Sequence, residues 1–256
     1  MDLELEGKVV IVTGGTDGLG AALAERLATL GAHVTVCGRN ESRVEAMRER
    51  LTSTGGDHLV VAADVTVPPD IERLVDSTVQ RWGRIDGIVN NAGAAAAEPF
   101  EAITDDEWQA DLDLKVMAAV RLTRSAIPHM TTDGGSIVNV LSIAAKAAGA
   151  RSLPSAASRA TGIAITKALS KELGPIGIRS NAVLVGLVES GQWDRLADRT
   201  GRPVAEIYEG MAGQIPLGRV GRGDEFADLV TFLLSARSSY VTGSAINLDG
   251  GMSPAI

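Results

Sequence analysis

Short apolar, β-branched runs alternate with longer stretches of helical periodicity along the first half of this chain, and that alternation leaves few folds open. KVVIVTG (8–14) precedes a helical pattern over 19–30, AHVTVCG (32–38) one over 41–51, and HLVVAAD (58–64) one over 71–82, before DGIVNNAG (86–93) runs into a turn. Strands that read as nearly continuous apolar runs are buried on both faces, so the pattern predicts an α/β fold with a doubly wound parallel sheet. The second half predicts a long helix over 105–130, the strand GSIVNVLS (135–142), a helix over 155–173, the strand IRSNAVL (178–184), a helix over 224–234 and the strand SAINLD (244–249). Residues 186–221, rich in Gly, Pro and charge, read as irregular. Lying beyond a strand's carboxyl end, they are placed to form a substrate lid on a single domain spanning 1–256.

With 256 residues, 45% of them hydrophobic, the chain can bury one sizeable core. It has no apolar run of about 18 residues, and MDLELEGK at the start carries acids where a secretory signal would carry bases. A cytoplasmic protein with no membrane partner is expected. The net charge of −8 argues against nucleic acid, since no broad basic surface is implied to displace counterions from phosphates. Cys37 is the only cysteine, and His33, His58 and His129 are scattered, so no metal site is expected.

TGGTDGLG (13–20) joins a predicted strand to a predicted helix. In that context Gly14 permits a tight turn, Gly18 lets the backbone approach a pyrophosphate, and Gly20 allows the helix to pack closely, while the helix N-terminus presents free N–H groups to the phosphates. The second strand ends in Cys37-Gly38-Arg39-Asn40, with no acid to bond adenosine ribose hydroxyls and with Arg39 able to fork onto a phosphate. NADP(H) is therefore favoured, with NAD(H) as the alternative.

These segments together resemble the short-chain dehydrogenase/reductase family over the whole chain. Gly14, Gly18 and Gly20 match its TGxxxGxG spacing, NNAG (90–93) the end of its fourth strand, Asp64-Val65 its adenine-contacting pair, SNAVLVG (180–186) its VNAVxPG segment, and VTGSAINLDGG (241–251) its closing motif. The resemblance implies a seven-stranded Rossmann-type sheet, a homotetramer or homodimer, and a small-molecule substrate. It implies a coenzyme site built from Gly14, Thr16, Asp17, Gly18, Leu19, Gly20, Arg39, Asp64, Val65, Asn91, Ala92, Gly93, Arg159, Gly186, Val188 and Ser190. Many NADP-using members carry a base in the glycine loop, where this chain has Asp17.

The catalytic positions depart from the family pattern. Ser142 falls at its serine, but YxxxK is replaced by Ser155 and Arg159, and Lys115 stands where the asparagine would be. The i, i+4 spacing keeps Ser155 and Arg159 on one helical face. A tyrosine can exchange a proton near neutrality once cations lower its pKa, whereas serine alone is too weak an acid and arginine is permanently charged. Lys115 is the sharpest substitute donor, since desolvation and Arg159 would both lower its pKa; Tyr208 and Lys146 are further candidates. Ser142 would polarise a substrate oxygen, Arg159 would anchor coenzyme or substrate, Asn181 would support backbone, and Tyr240 would pack. The expected function is an oxidoreductase moving hydride between nicotinamide and a small carbonyl or alcohol. The alternatives are a dinucleotide-binding pseudoenzyme or regulatory subunit, and a non-redox lyase or isomerase.

Overall fold

The computed structural model describes residues 2–130 and 134–256. β1 (Val9–Thr13), β2 (His33–Gly38), β3 (Leu59–Ala62), β4 (Gly87–Asn90), β5 (Ser136–Ser142), β6 (Arg179–Val185) and β7 (Ala245–Leu248) form a parallel sheet in the order β3-β2-β1-β4-β5-β6-β7. The order reverses between β1 and β4, and ligands of such sheets bind outside the carboxyl ends of the strands at this switch. A separate antiparallel ribbon pairs Ala97–Glu98 with Leu153–Pro154.

Residue parity along the strands decides which core each side chain enters. Val10, Val12, Val34 and Val36 pack beneath α1 (Gly18–Thr29), α2 (Glu41–Thr52) and α9 (Gly223–Leu234). Ile11, Cys37, Ile88 and Ile137 face α3 (Pro68–Trp82), α5 (Ala118–Ala126) and the end of α6 (Ser155–Glu172). Burial pushes the Cys37 thiol up to about 11, leaving it a small hydrophobe. Local signals set the helix ends: Asp17 caps α1, Pro68 starts α3, and Gly83 stops it at φ 73°.

Three expectations differ from the structure. The helix expected over 105–130 is interrupted: α4 (Asp105–Leu112) passes through a widened π turn, Asp113–Met117, into α5, and Ile127–His129 closes as a 3₁₀ turn at Pro128. The widened turn carries Lys115 at its centre and lets both ends of the Asp111–Lys115 pair turn inward. The stretch read as irregular contains α7 (Gly191–Thr200) and α8 (Val204–Ala212), separated by Gly201 and Pro203, whose turn chemistry hides two short helices in the composition. Tyr240 does not pack; it lies past a 3₁₀ turn (Ala236–Ser238) and is fully exposed. Among the described residues, no helix is long and apolar enough to cross a membrane, and no group of three or more His, Cys, Asp or Glu is placed to hold a metal.

Candidate functional site

The turn between β1 and α1 is held in shape by NNAG from the end of β4. Asn91 Nδ2 donates to the carbonyls of Thr13 (2.9 Å) and Gly14 (3.2 Å), and the Thr13 hydroxyl accepts the N–H groups of Asn91 and Ala92, both at 3.0 Å. Gly14 sits at φ 63°. A Cβ on Gly20 would stand 2.3 Å from the Gly14 carbonyl oxygen and 2.5 Å from Asn91 Nδ2, so this corner admits only glycine. The resulting cradle brings the start of α1, its positive dipole end, to the carboxyl edge of the sheet. It suits a dinucleotide pyrophosphate, and the glycines that make it are the ones the sequence singles out.

Around the rim, Arg39 is 67% exposed at the end of β2, its Nη1 3.5 Å from Asp64 Oδ2. Burial opposes charge on Asp64, but hydrogen bonds from the Thr66 N–H and hydroxyl, with Arg39 nearby, hold its carboxyl below the usual range. Val65 is buried, Thr16 lies against Gly38, and Leu19 packs on the core beneath α1. Across the crevice, Gly186 abuts Asp249, Val188 is buried and its carbonyl accepts Trp193 Nε1 at 2.9 Å, and Ser190 lies beside Gly18 just before α7. Asn181 does support backbone: its Nδ2 donates to Val241 O at 2.8 Å and its Oδ1 accepts the Ser244 N–H at 3.2 Å.

The widened turn and the start of α6 bring Lys115, Ser155 and Arg159 to one place, together with two residues the sequence reading missed. Lys115 Nζ lies 2.5 Å from Ser155 Oγ and is also bonded to Asp111 Oδ1. The Ser158 hydroxyl donates to Asp111 Oδ2 at 2.5 Å. The Lys115 and Asp111 side chains are only 2% and 4% exposed. Lys115 thus lies against Ser155, desolvated as the sequence leads one to expect, and is in addition half of a buried ion pair with Asp111. An acid four residues before a lysine on a predicted helix was the available signal for Asp111.

Burial is the largest influence on Lys115 and pulls its pKa below the usual lysine value; Asp111 opposes this and Arg159 adds to it. Burial likewise lowers Arg159, partly offset by Asp111. Arg159 Nη1 donates to the Val140 carbonyl at 2.5 Å, and its Nη2 lies under Gly93, where a Cβ would come within 2.7 Å. Lys115 and Arg159 border a cavity of about 20 Å³, room for about one water. Asn90 Oδ1, also at this cavity and buried without a protein partner, is the acceptor such a water would serve.

Ser155 Oγ also accepts the Ala96 N–H at 3.1 Å. With that bond and a Lys115 N–H filling its two lone pairs, the hydroxyl proton is what Ser155 has left to donate. Ser142, two residues beyond Val140 on the same face of β5, accepts the Ala144 N–H at 3.3 Å. Lys146 is turned elsewhere: its Nζ binds Ala245 O (2.8 Å) and Asn247 Oδ1 (2.9 Å), bracing β7. Tyr208 is half-buried on α8.

The family model described as enoyl-(acyl carrier protein) reductase matches residues 14–253. The chain belongs to the short-chain dehydrogenase/reductase family. It is 34% identical to L-fucose dehydrogenase of Bos taurus over 252 residues, 98% of this chain and 91% of that protein. Its fold matches L-sorbose reductase from Gluconobacter frateurii, solved with NADPH and L-sorbose, at a TM-score of 0.94 and 32% identity, covering 100% of both chains. An NADPH-bound short-chain oxidoreductase from Pseudomonas aeruginosa PAO1, described as containing an atypical catalytic center, matches at 0.91 and 32% identity, covering 97% of this chain and 98% of that one. The family is one of NAD(P)-dependent oxidoreductases, and the seven-stranded Rossmann-type sheet is its fold.

Proposed function

We propose that this protein is an NADP(H)-preferring oxidoreductase that interconverts a small carbonyl compound and its alcohol, with Lys115 and Ser155 as the proton-transferring pair in place of the family's tyrosine and lysine. The observation that carries this reading is the 2.5 Å contact between Lys115 Nζ and Ser155 Oγ, with Asp111 also bonded to the ammonium. Serine by itself is too weak an acid, but a serine in contact with a lysine can pass on a proton and be refilled at once. A bound nicotinamide would supply or accept the hydride. In the reducing direction, the Ser155 O–H gives its proton to the carbonyl oxygen of the substrate while Lys115 gives one to Ser155 Oγ. Asp111 favours the charged ammonium, and Ser142 is assigned to polarise the same substrate oxygen. Arg159, fixed by the Val140 carbonyl, anchors coenzyme ribose from beneath Gly93.

The coenzyme residues are those named from sequence, with Arg39 taking the adenosine 2′-phosphate and residues 186–221, carrying α7 and α8, closing over the substrate. We assign the protein a homodimeric or homotetrameric state in the cytoplasm. NADPH-bound relatives, one described as having an atypical catalytic center, support an active oxidoreductase over a pseudoenzyme.

The test is coenzyme titration followed by turnover against a panel of carbonyls, polyols and sugars, monitored by coenzyme absorbance. Arg39→Met should weaken NADPH about tenfold and leave NADH unchanged; equal affinity of the unaltered protein for the two would remove the NADP preference. Gly20→Ala should weaken both coenzymes by about 100-fold or more, since its methyl forces the turn off the pyrophosphate. No turnover across the panel despite tight coenzyme binding would favour the pseudoenzyme.

A further inference from the structure

Asp17 caps α1 and is one of the coenzyme residues named from sequence, yet α2 and α7 also converge on its carboxylate. Its backbone is extended and its Oδ1 accepts the Gly18 N–H at 2.8 Å. Its Oδ2 accepts from Arg43 Nη1 at 2.9 Å, on the first turn of α2, and from Arg195 Nη1 at 3.0 Å, on α7. Gly191, the first residue of α7, packs so closely that a Cβ would stand 2.7 Å from Asp17 Oδ1. The positive end of α7 and two guanidinium groups thus face one anion at the N-terminus of α1, where phosphates of a dinucleotide are expected.

We propose that Asp17 is an internal competitor for the coenzyme phosphates: it engages Arg43 and Arg195 with its own charge and so sets coenzyme affinity below what those arginines would otherwise confer. This rests on the reading that the chain binds a nicotinamide dinucleotide, though not on which one. A phosphate oxygen and a carboxylate oxygen ask the same of a guanidinium, so the ligand must displace Asp17 from these partners and also bear its repulsion. The two arginines serve different parts of the ligand. Arg43 follows Arg39 and the α2 cap at the end of β2, the adenosine side, and serves the 2′-phosphate. Arg195 comes from the segment across the crevice and serves the pyrophosphate common to both coenzymes.

Asn caps a helix as well as Asp, so Asp17→Asn removes the charge and keeps the cap. Fluorescence titrations of NADPH and NADH would compare the unaltered protein with Asp17→Asn, Arg43→Met and Arg195→Met. Asp17→Asn should bind both coenzymes about five- to tenfold tighter at low ionic strength, an advantage that shrinks in high salt. Arg195→Met should weaken both alike, and Arg43→Met should weaken NADPH more than NADH. An Asp17→Asn protein that melts as the unaltered protein does and binds neither coenzyme tighter overturns the proposal; Asp17→Ser, which also caps, serves if the first variant melts early. If Asp17→Asn tightens both coenzymes while the unaltered protein does not prefer NADPH, the NADP preference falls and the competition stands. If no variant binds either coenzyme, both fall.

Discussion

Lys115→Met is expected to lower kcat by about 10²- to 10⁴-fold, the usual worth of a positioned acid or base, while leaving KM and coenzyme affinity nearly unchanged. The reason is that the lysine acts when the proton moves, not when the substrate binds. Removing the ammonium strands Asp111 in a buried place, which costs about 3–5 kcal/mol of stability, so the paired variant Asp111→Asn/Lys115→Met keeps the test informative where the single one folds poorly. A second readout separates chemistry from packing. Reduction requires the charged lysine, so its rate should fall as pH rises through the Lys115 pKa, which burial has already brought below the ordinary lysine value. Asp111 raises that pKa. Asp111→Asn should therefore move the basic limb of the profile to lower pH, whereas a purely structural Asp111 would reduce the amount of active protein without moving the limb. A Lys115→Met enzyme with near-normal kcat would end the assignment of the proton donor.

The sheet was readable because each of its strands is specified locally. Val9–Thr13 and Ser136–Ser142 carry apolar residues whose parity divides them between the two faces of the sheet, and no distant residue is needed to see it. The glycine turn was readable for the same reason, since its requirement for glycine is written in consecutive residues. The catalytic cluster is different. Lys115, Ser155 and Arg159 could be found by position, but their chemistry depends on Asp111 and Ser158, which matter only once α4 and α6 lie side by side. The π turn that orients Lys115 leaves no mark in the hydrophobic period, because one widened turn barely disturbs a helical pattern. Asp17 shows the limit most plainly. In the sequence it is a carboxylate in an unwelcome place for an NADP site, and only the folded chain reveals that Arg43 and Arg195, 26 and 178 residues away, are turned onto it.

Arg179→Leu should cost about 2–4 kcal/mol of stability through lost charge-assisted hydrogen bonds, with kcat under native conditions unaffected. The last carbonyls of a helix have no partner within it and carry its negative dipole end, so a buried helix end needs an outside donor. For α9 that donor is a strand residue: Arg179 Nη1 reaches Leu233 O at 2.8 Å and Ser238 Oγ at 2.9 Å, and Nη2 reaches Ser235 O at 3.1 Å and Leu234 O at 3.5 Å. Burial lowers the Arg179 pKa, but the carbonyls around it reward the charge; with leucine in its place Leu233 O and Ser235 O keep only neutral donors from Ser136 and Ser238 and lose their charge-assisted bonds. Arg179→Lys should recover only part of the loss, because an ammonium cannot fan out across several carbonyls as a guanidinium does. In a chain of this size the change corresponds to a fall in Tm of roughly 10 °C, measured by calorimetry alongside denaturant unfolding. Arg179 opens β6 at the amino edge of the sheet, whereas Ser155 and the glycine turn work at the carboxyl edge, so turnover well below Tm should survive. A leucine variant within about 1 kcal/mol of the unaltered protein would mean that water caps α9 as well as the arginine does. Lost turnover at full stability would instead mean that α9, packed on α1, transmits to the phosphate cradle what happens at its far end.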